Sequence, residues 1–233
     1  MTIIRYFLHR VLIVGSLAAV LNGCSVSIPT PSPDQMDKSP FTGIPCAAPC
    51  WHNLIIGKST ENDVINVLPS LTFIDQKSIK VSKRDWLEKI DFSGSAPGMV
   101  VYANCIYPNG KLCLSLTVVD DVLTNIVIDL NYDITVDEAI KYLGNPDRVV
   151  YRNSGAEWII CYVDLIWGSK QLVLTSRRFE GYEEFEKNCG VVRDTGKVPS
   201  SLLLSEVGYV SSSQIEDLLS PSTYNLLYSG TIP

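Results

Sequence analysis

Histidine is nearly missing from this chain. His9 and His52 are the only two in 233 residues. His9 falls in the first ten residues, which carry Arg5 and Arg10 and no acid, so any imidazole-dependent mechanism hangs on His52. Its place beside Cys50 and Trp51 reads as a packed turn residue. A nucleophile elbow is also missing: in GSAPG (Gly94 to Gly98) the central residue is Ala96. There is no His-Glu-x-x-His, no phosphate loop and no dinucleotide fingerprint. Lysine and arginine form no run. The formal charge is −6, and without Arg5 and Arg10 17 basic residues face 25 acidic ones, a net −8. Nucleic acid and anionic headgroups are therefore poor partners. The apolar segment Val11 to Leu21 would span only about 16 Å as a helix, roughly half a hydrocarbon core.

That segment suits the h-region of a secretory signal. It ends at Leu21-Asn22-Gly23-Cys24, which resembles the bacterial lipobox, with Asn22 standing where Ala, Ser or Thr is usual. The resemblance implies a diacylglycerol thioether on Cys24 and cleavage before it. Residues 1–23 then form a lipoprotein signal peptide. Residues 24–45 form a lipid-anchored tether, with five prolines and four serines between Ser25 and Pro45. Such a stretch favours extended backbone and builds no core. The expected location is the bacterial cell envelope, outside the cytoplasm, with the membrane as partner through the N-terminal lipid.

Six cysteines follow Cys24: Cys46, Cys50, Cys105, Cys113, Cys161 and Cys189. An even number in an exported chain reads as disulfides. NCIYPNGKLCL predicts a hairpin around Pro108-Asn109-Gly110. A three-residue loop with Gly110 in the left-handed region sets Cys105 opposite Cys113, Ile106 opposite Leu112 and Tyr107 opposite Lys111, whereas a two-residue Asn-Gly loop sets Cys105 opposite Leu114; the former brings the sulfurs within bridging reach. Cys46 and Cys50 are close enough in CAAPC to bridge across a turn, which leaves Cys161 with Cys189. The rival for CAAPCWH is a metal held by Cys46, Cys50 and His52, but an oxidising compartment opposes free thiolates, and no second Cys/His pair stands at zinc-finger spacing.

Two helices carry start signals. Thr60 with Asp63 precedes Val64, Ile65, Val67, Leu68 and Leu71. Thr135 with Glu138 precedes Ala139, Ile140 and Leu143, and Gly144 with Asn145-Pro146 ends that helix. Setting Thr60 on Thr135, an offset of 75 residues, aligns Ile65 with Ile140 and Leu68 with Leu143. Each helix is followed by a tryptophan, Trp86 or Trp158, and by strand patterns, with Asp120-Asp121 as one tight turn and Gly168-Ser169 as another. The expected fold class is α+β: two tandem units, 46–131 and 132–190, each a short helical layer packed on an antiparallel sheet. Residues 191–233 read as a C-terminal extension with a short helix capped by Ser213 and Glu216.

These stretches resemble a known group. GKSTENDVINVL (Gly57 to Leu68) resembles the helix start of the BamE (SmpA/OmlA) lipoprotein family. TVDEAIKYLGNP (Thr135 to Pro146) resembles its Leu-Gly-x-Pro helix end, DVLTNIVI (Asp121 to Ile128) its closing strand, and Trp158 falls at its strand tryptophan. The tandem arrangement is similar to the β-lactamase-inhibitor-protein architecture. Pro69 stands in the first unit where Gly-x-Pro is expected, and the six cysteines are not hallmarks of the family. The resemblance spans Cys46 to Phe179 and implies a binding or assembly factor, with no catalytic residue to carry over.

The sequence thus points to a non-catalytic, lipid-anchored envelope protein that binds an unknown protein partner, with no cofactor and no catalytic or metal-ligating residue assigned. A sheet face carrying Trp86, Trp158, Tyr162 and Trp167 is the candidate binding surface. The alternative is an extracytoplasmic hydrolase with a scattered carboxylate site; the acidic run Glu183 to Glu186 reads as a solvated face. Membrane-extracted protein is expected to have an intact mass matching an acylated chain that starts at Cys24. A free thiol at Cys24, or cleavage elsewhere, refutes the anchor.

Overall fold

Alternation along the strands decides which side of the sheet is covered. The computed structural model describes residues 36–84, 98–107, 110–154, 160–176, 179–180, 183, 186–195 and 197–219. The chain enters through a short helix, α1 (Ser39–Thr42), and a two-residue hairpin of β1 (Cys50–Trp51) and β2 (Leu54–Ile55), followed by helix α2 (Glu61–Val67). Strands β3 (Lys80–Arg84), β4 (Gly98–Asn104), β5 (Leu112–Val119) and β6 (Val122–Thr135) then form an antiparallel meander in chain order. Helix α3 (Val136–Leu143) precedes a second meander of β7 (Arg148–Ser154), β8 (Ile160–Trp167) and β9 (Leu172–Ser176). The short β10 (Phe179–Glu180) continues along β8 where β9 stops. After α4 (Val191–Thr195), β11 (Leu203–Val210) inserts between β6 and β9, antiparallel to both, and α5 (Ser212–Leu219) follows. The result is the expected α+β class: one antiparallel sheet of eight strand positions, β7-β8-β9-β11-β6-β5-β4-β3, with a few short helices. Among the described residues no helix is long and apolar enough to cross a membrane.

Successive strand residues face opposite ways. In β8, Val163, Leu165 and Trp167 join the large core that also holds Val64 of α2 and Ala139 of α3. Ile166, between them, joins a small second core with Val150, Val173 and Ile215 of α5. So α2 and α3 cover one face of the sheet and α5 part of the other. Both covering helices start on capping boxes: Thr60 Oγ1 accepts from the Asp63 amide while the Asp63 carboxylate accepts from the Thr60 amide, and Thr135 and Glu138 do the same. The inward positions differ from the expected ones. Ile65 is 38 % exposed, whereas Val64 and Ala139 are fully buried. Ile140 is only partly buried.

The tight turns follow local chemistry. Asp120 and Asp121 take φ of +52° and +58° between Val119 and Val122, a mirror-image turn that aspartate tolerates. Asp121 then accepts a hydrogen bond from the Glu61 amide at 3.0 Å, tying the start of α2 to the sheet. His52 and Asn53, at +46° and +67°, turn β1 into β2 in the same way.

All three expected disulfides form: Cys46–Cys50, Cys105–Cys113 and Cys161–Cys189. The register expected at the second differs. Ala103 pairs with Leu114 and Asn104 with Leu112, so Cys113 is an extra residue in β5, and the Cys105 amide donates to the Lys111 carbonyl. This bulge turns both Cys113 and Leu114 inward and brings the Cys105 and Cys113 Cα atoms to 5.5 Å. Gly110 has the expected left-handed backbone, φ +65°; Pro108 and Asn109 lie outside the described residues.

Two segments play larger parts than their composition suggests. The stretch up to Pro45 was expected to stay out of any core, yet Asp37, Ser39 and Phe41 are buried. The segment after Gly190, read as an extension, supplies β11 at the centre of the sheet. The helix after β11 is present, but its cap is Ser211 with Gln214, whose side chains each accept from the other's amide, and not Ser213 with Glu216. Ending the chain at Ser200 removes the only strand that joins β6 to β9 among the described residues. Such a truncation is expected to abolish cooperative urea unfolding and near-ultraviolet circular dichroism; a truncated chain that still unfolds cooperatively contradicts this architecture.

Candidate functional site

A mismatch in the central ladder opens a cleft among the described residues. Along β11, Leu204 pairs with Ile134 of β6, and two residues later Glu206 pairs with Asp129. Two steps on one strand thus face five on the other. No residue of β11 stands opposite Leu130, Asn131, Tyr132 or Asp133 in this ladder except Ser205 at the break. The excess chain of β6 bows away and leaves a cleft of about 400 Å³ between β6, the start of β11 and the hairpin stapled by Cys105–Cys113.

Its walls are mixed. Asp129, Asp133 and Lys111 bring charge; Tyr107, Asn131 and Ser205 bring hydrogen-bonding groups; Leu112, Leu130, Leu203 and Leu204 bring apolar surface. Asn131 Nδ2 donates to the Tyr107 carbonyl at 2.8 Å, which fastens the hairpin to β6 across the cleft. Leu112 is 53 % exposed, and Ile106 on the other limb of the hairpin is 46 % exposed. Asp129 stays exposed, and only partial loss of water around its carboxyl raises it above the ordinary range, against the opposing pull of Lys111.

Tyr132 links this cleft to the entering chain. Its hydroxyl donates to the Asp37 carbonyl at 2.8 Å, and its ring meets Phe41 of α1 edge-on at 6.4 Å. Burial raises the phenol's pKa and keeps it a donor. The Asp37 carboxylate is the knot of the strap formed by residues 37–42. It accepts from Trp51 Nε1 at 2.7 Å and from the Ser39 amide at 3.0 Å, and His52 Nε2 lies 3.3 Å away. Burial alone would raise its pKa; the hydrogen bonds from His52, Ser39 and Trp51 outweigh that and hold it below the usual carboxylate range. His52 is accordingly a packed turn residue, with Trp51 at 4.8 Å edge-on and Phe73 at 6.2 Å.

The aromatic face expected from the sequence is not assembled in the described part. Trp167 is 2 % exposed, and its Nε1 donates to the Gly144 carbonyl at 3.0 Å, so it closes the end of α3 from within the core. Tyr162 is half-buried on β8. Trp86, Trp158 and Cys24 lie outside the described residues. Cys46 and Cys50 are bonded to each other, which leaves no thiolate for the metal alternative. Glu183 of the acidic run is exposed. Among the described residues no three His, Cys, Asp or Glu side chains come together as metal ligands. The residues missed from the sequence are Ile106, Leu112, Asp129 and Tyr132. The one available signal was the position of Ile106 and Leu112 beside the cysteines of a hairpin. Compared with known proteins, the chain matches no family model, no curated protein and no solved structure.

The strap gives a pH-dependent expectation. Asp37 is deprotonated in the fold below its unfolded pKa, so its contribution is present above the ordinary carboxylate value of 3.8 and fades as pH falls through the lower folded pKa. Asp37→Asn is expected to lower unfolding free energy by about 1–3 kcal/mol at neutral pH. The gap to the parent chain should narrow as urea titrations are repeated toward pH 3; a gap independent of pH shows that the charge contributes nothing.

Proposed function

We propose that this chain is a non-catalytic, lipid-anchored protein of the bacterial envelope, and that it binds a protein partner with the hairpin and cleft around Leu112. The observation that carries the binding surface is the pair of exposed apolar side chains, Leu112 and Ile106, on a disulfide-stapled hairpin at the rim of a mixed cleft. A rigid rim holding apolar groups in water has little ordering cost on association, and apolar anchors beside satisfied polar groups are what interface centres use. The apolar run that stops at Gly23-Cys24 supports the anchor. The three disulfides are in keeping with an oxidising compartment.

The same reading includes two tandem BamE-like units. Its support is topological. Each capped helix, α2 or α3, is followed by a meander, and the order β3-β4-β5-β6 on one side of the sheet faces β7-β8-β9-β11 on the other, with β6 and β11 adjacent. Val64 and Ala139 stand at the 75-residue offset as fully buried helix residues.

One observation favours a hydrolase instead: Asp129, with its carboxyl raised by partial desolvation, shares the cleft with Asp133. The two readings separate experimentally. Leu112→Asp is expected to weaken partner capture on crosslinked cells by about 1–4 kcal/mol, while Asp129→Asn leaves capture intact. Turnover of a cell-wall, peptide or glycan substrate that is abolished by Asp129→Asn replaces the binding reading with the enzymatic one.

A further inference from the structure

We propose that the Cys46–Cys50 bridge is a thiol-exchange site, with Cys46 the sulfur that departs as thiolate. The three disulfides are not equally placed. Cys105 and Cys113 are 2 % and 5 % exposed, and Cys161 and Cys189 are fully buried. Cys46 and Cys50 are only partly buried, at the surface loop that returns the chain from α1 to β1. Exchange begins with a thiolate reaching a disulfide sulfur, so access selects this bridge first.

The second selection is between its two sulfurs. The Asn53 amide donates to Cys46 Sγ at 3.3 Å. Asn53 is the second residue of the β1–β2 turn, and its left-handed backbone, φ +67°, aims that N–H back at the CAAPC loop. Among the described residues no N–H is directed at Cys50 Sγ. A donor on sulfur favours the anion, and the sulfur whose thiolate is better stabilised is the better leaving group. The geometry therefore directs an incoming thiolate to Cys50.

The co-reactant is a dithiol, on a small molecule or on a protein. One of its thiolates attacks Cys50 Sγ, forming a mixed disulfide as the Cys46–Cys50 bond breaks. The electron pair leaves on Cys46, where the Asn53 amide holds it until solvent supplies a proton. The donor's second thiolate then attacks the donor sulfur of the mixed disulfide and releases Cys50 as thiolate. Two electrons have passed: the donor has become a disulfide and Cys46 and Cys50 are reduced. The location matters because Cys50 opens β1, and the next residue, Trp51, holds Asp37 of the strap. Exchange thus acts on the loop that positions the strap's partner.

The experiment uses the oxidised chain carrying Cys24→Ser, treated with stepped concentrations of dithiothreitol or with glutathione, acid-quenched, alkylated and mapped by peptide mass spectrometry. Cys46 and Cys50 are expected to be labelled at reductant levels that leave the other four unlabelled. Trapped glutathione is expected on Cys50 in severalfold excess over Cys46. Asn53→Gly, which keeps the amide, is expected to keep that preference. Opening of Cys105–Cys113 or Cys161–Cys189 at the same reductant level, or glutathione mainly on Cys46, overturns the proposal, and so does loss of the preference in Asn53→Gly.

Discussion

The pairing of β6 with β11 holds this fold together. On one side of it lies a meander that the chain completes early; on the other lies a second meander, and β11 is the strand hydrogen-bonded to both. Val207 and Tyr209 of β11 and Ile126 and Ile128 of β6 are all essentially buried in the same core. Apolar burial of this kind stabilises each fully covered side chain by about 1.5–3 kcal/mol. The ladder has a constraint of its own, since it must absorb the unequal lengths of its two strands. It does so at Ser205, and the cleft is the geometric remainder. Architecture and candidate site are therefore the same feature seen from two sides.

Where a residue's own chemistry decides local structure, the sequence was readable. Thr135 with Glu138 and Asp120 with Asp121 form what their side chains favour, and Gly110, lacking one, takes the left-handed backbone. Two disulfides were readable because their cysteines stand only 4 and 8 residues apart, and the third, Cys161 with Cys189 at a separation of 28, followed by elimination. Ile65 shows the limit. Helical periodicity does not separate Val64 from Ile65, and the choice falls to the sheet beneath, which takes Val64 inward and leaves Ile65 out. β11 was hidden for a related reason. Its Ser205, Glu206 and Gly208 break the apolar pattern; Ser205 sits at the ladder break and Gly208 is buried between β6 and β9.

The candidate site was less legible because it is built from distances in space. Tyr132 lies 95 residues from Asp37, whose carbonyl it meets, and Asp129 faces Lys111 only after β5 and β6 have paired. Trp167 is a contrary case, in which a residue type common at interfaces is committed to an interior hydrogen bond with Gly144. An aromatic stripe in a sequence reports a need for burial and leaves open whether the chain itself or a partner provides it.

The place of β11 also sets a schedule. Its partners in β6 precede it by 68 residues at Leu203–Thr135 and by 85 at Val210–Asn125. A chain emerging N-terminus first carries the first meander with one long edge strand, β6, unpaired on one side until every other described strand has appeared. Edges of this kind recruit foreign strands, and folds closed by distant pairing form slowly. The interval in which this protein is most open to aggregation or to a chaperone is thus written into its topology, and it ends only when β11 slides into the centre of the sheet.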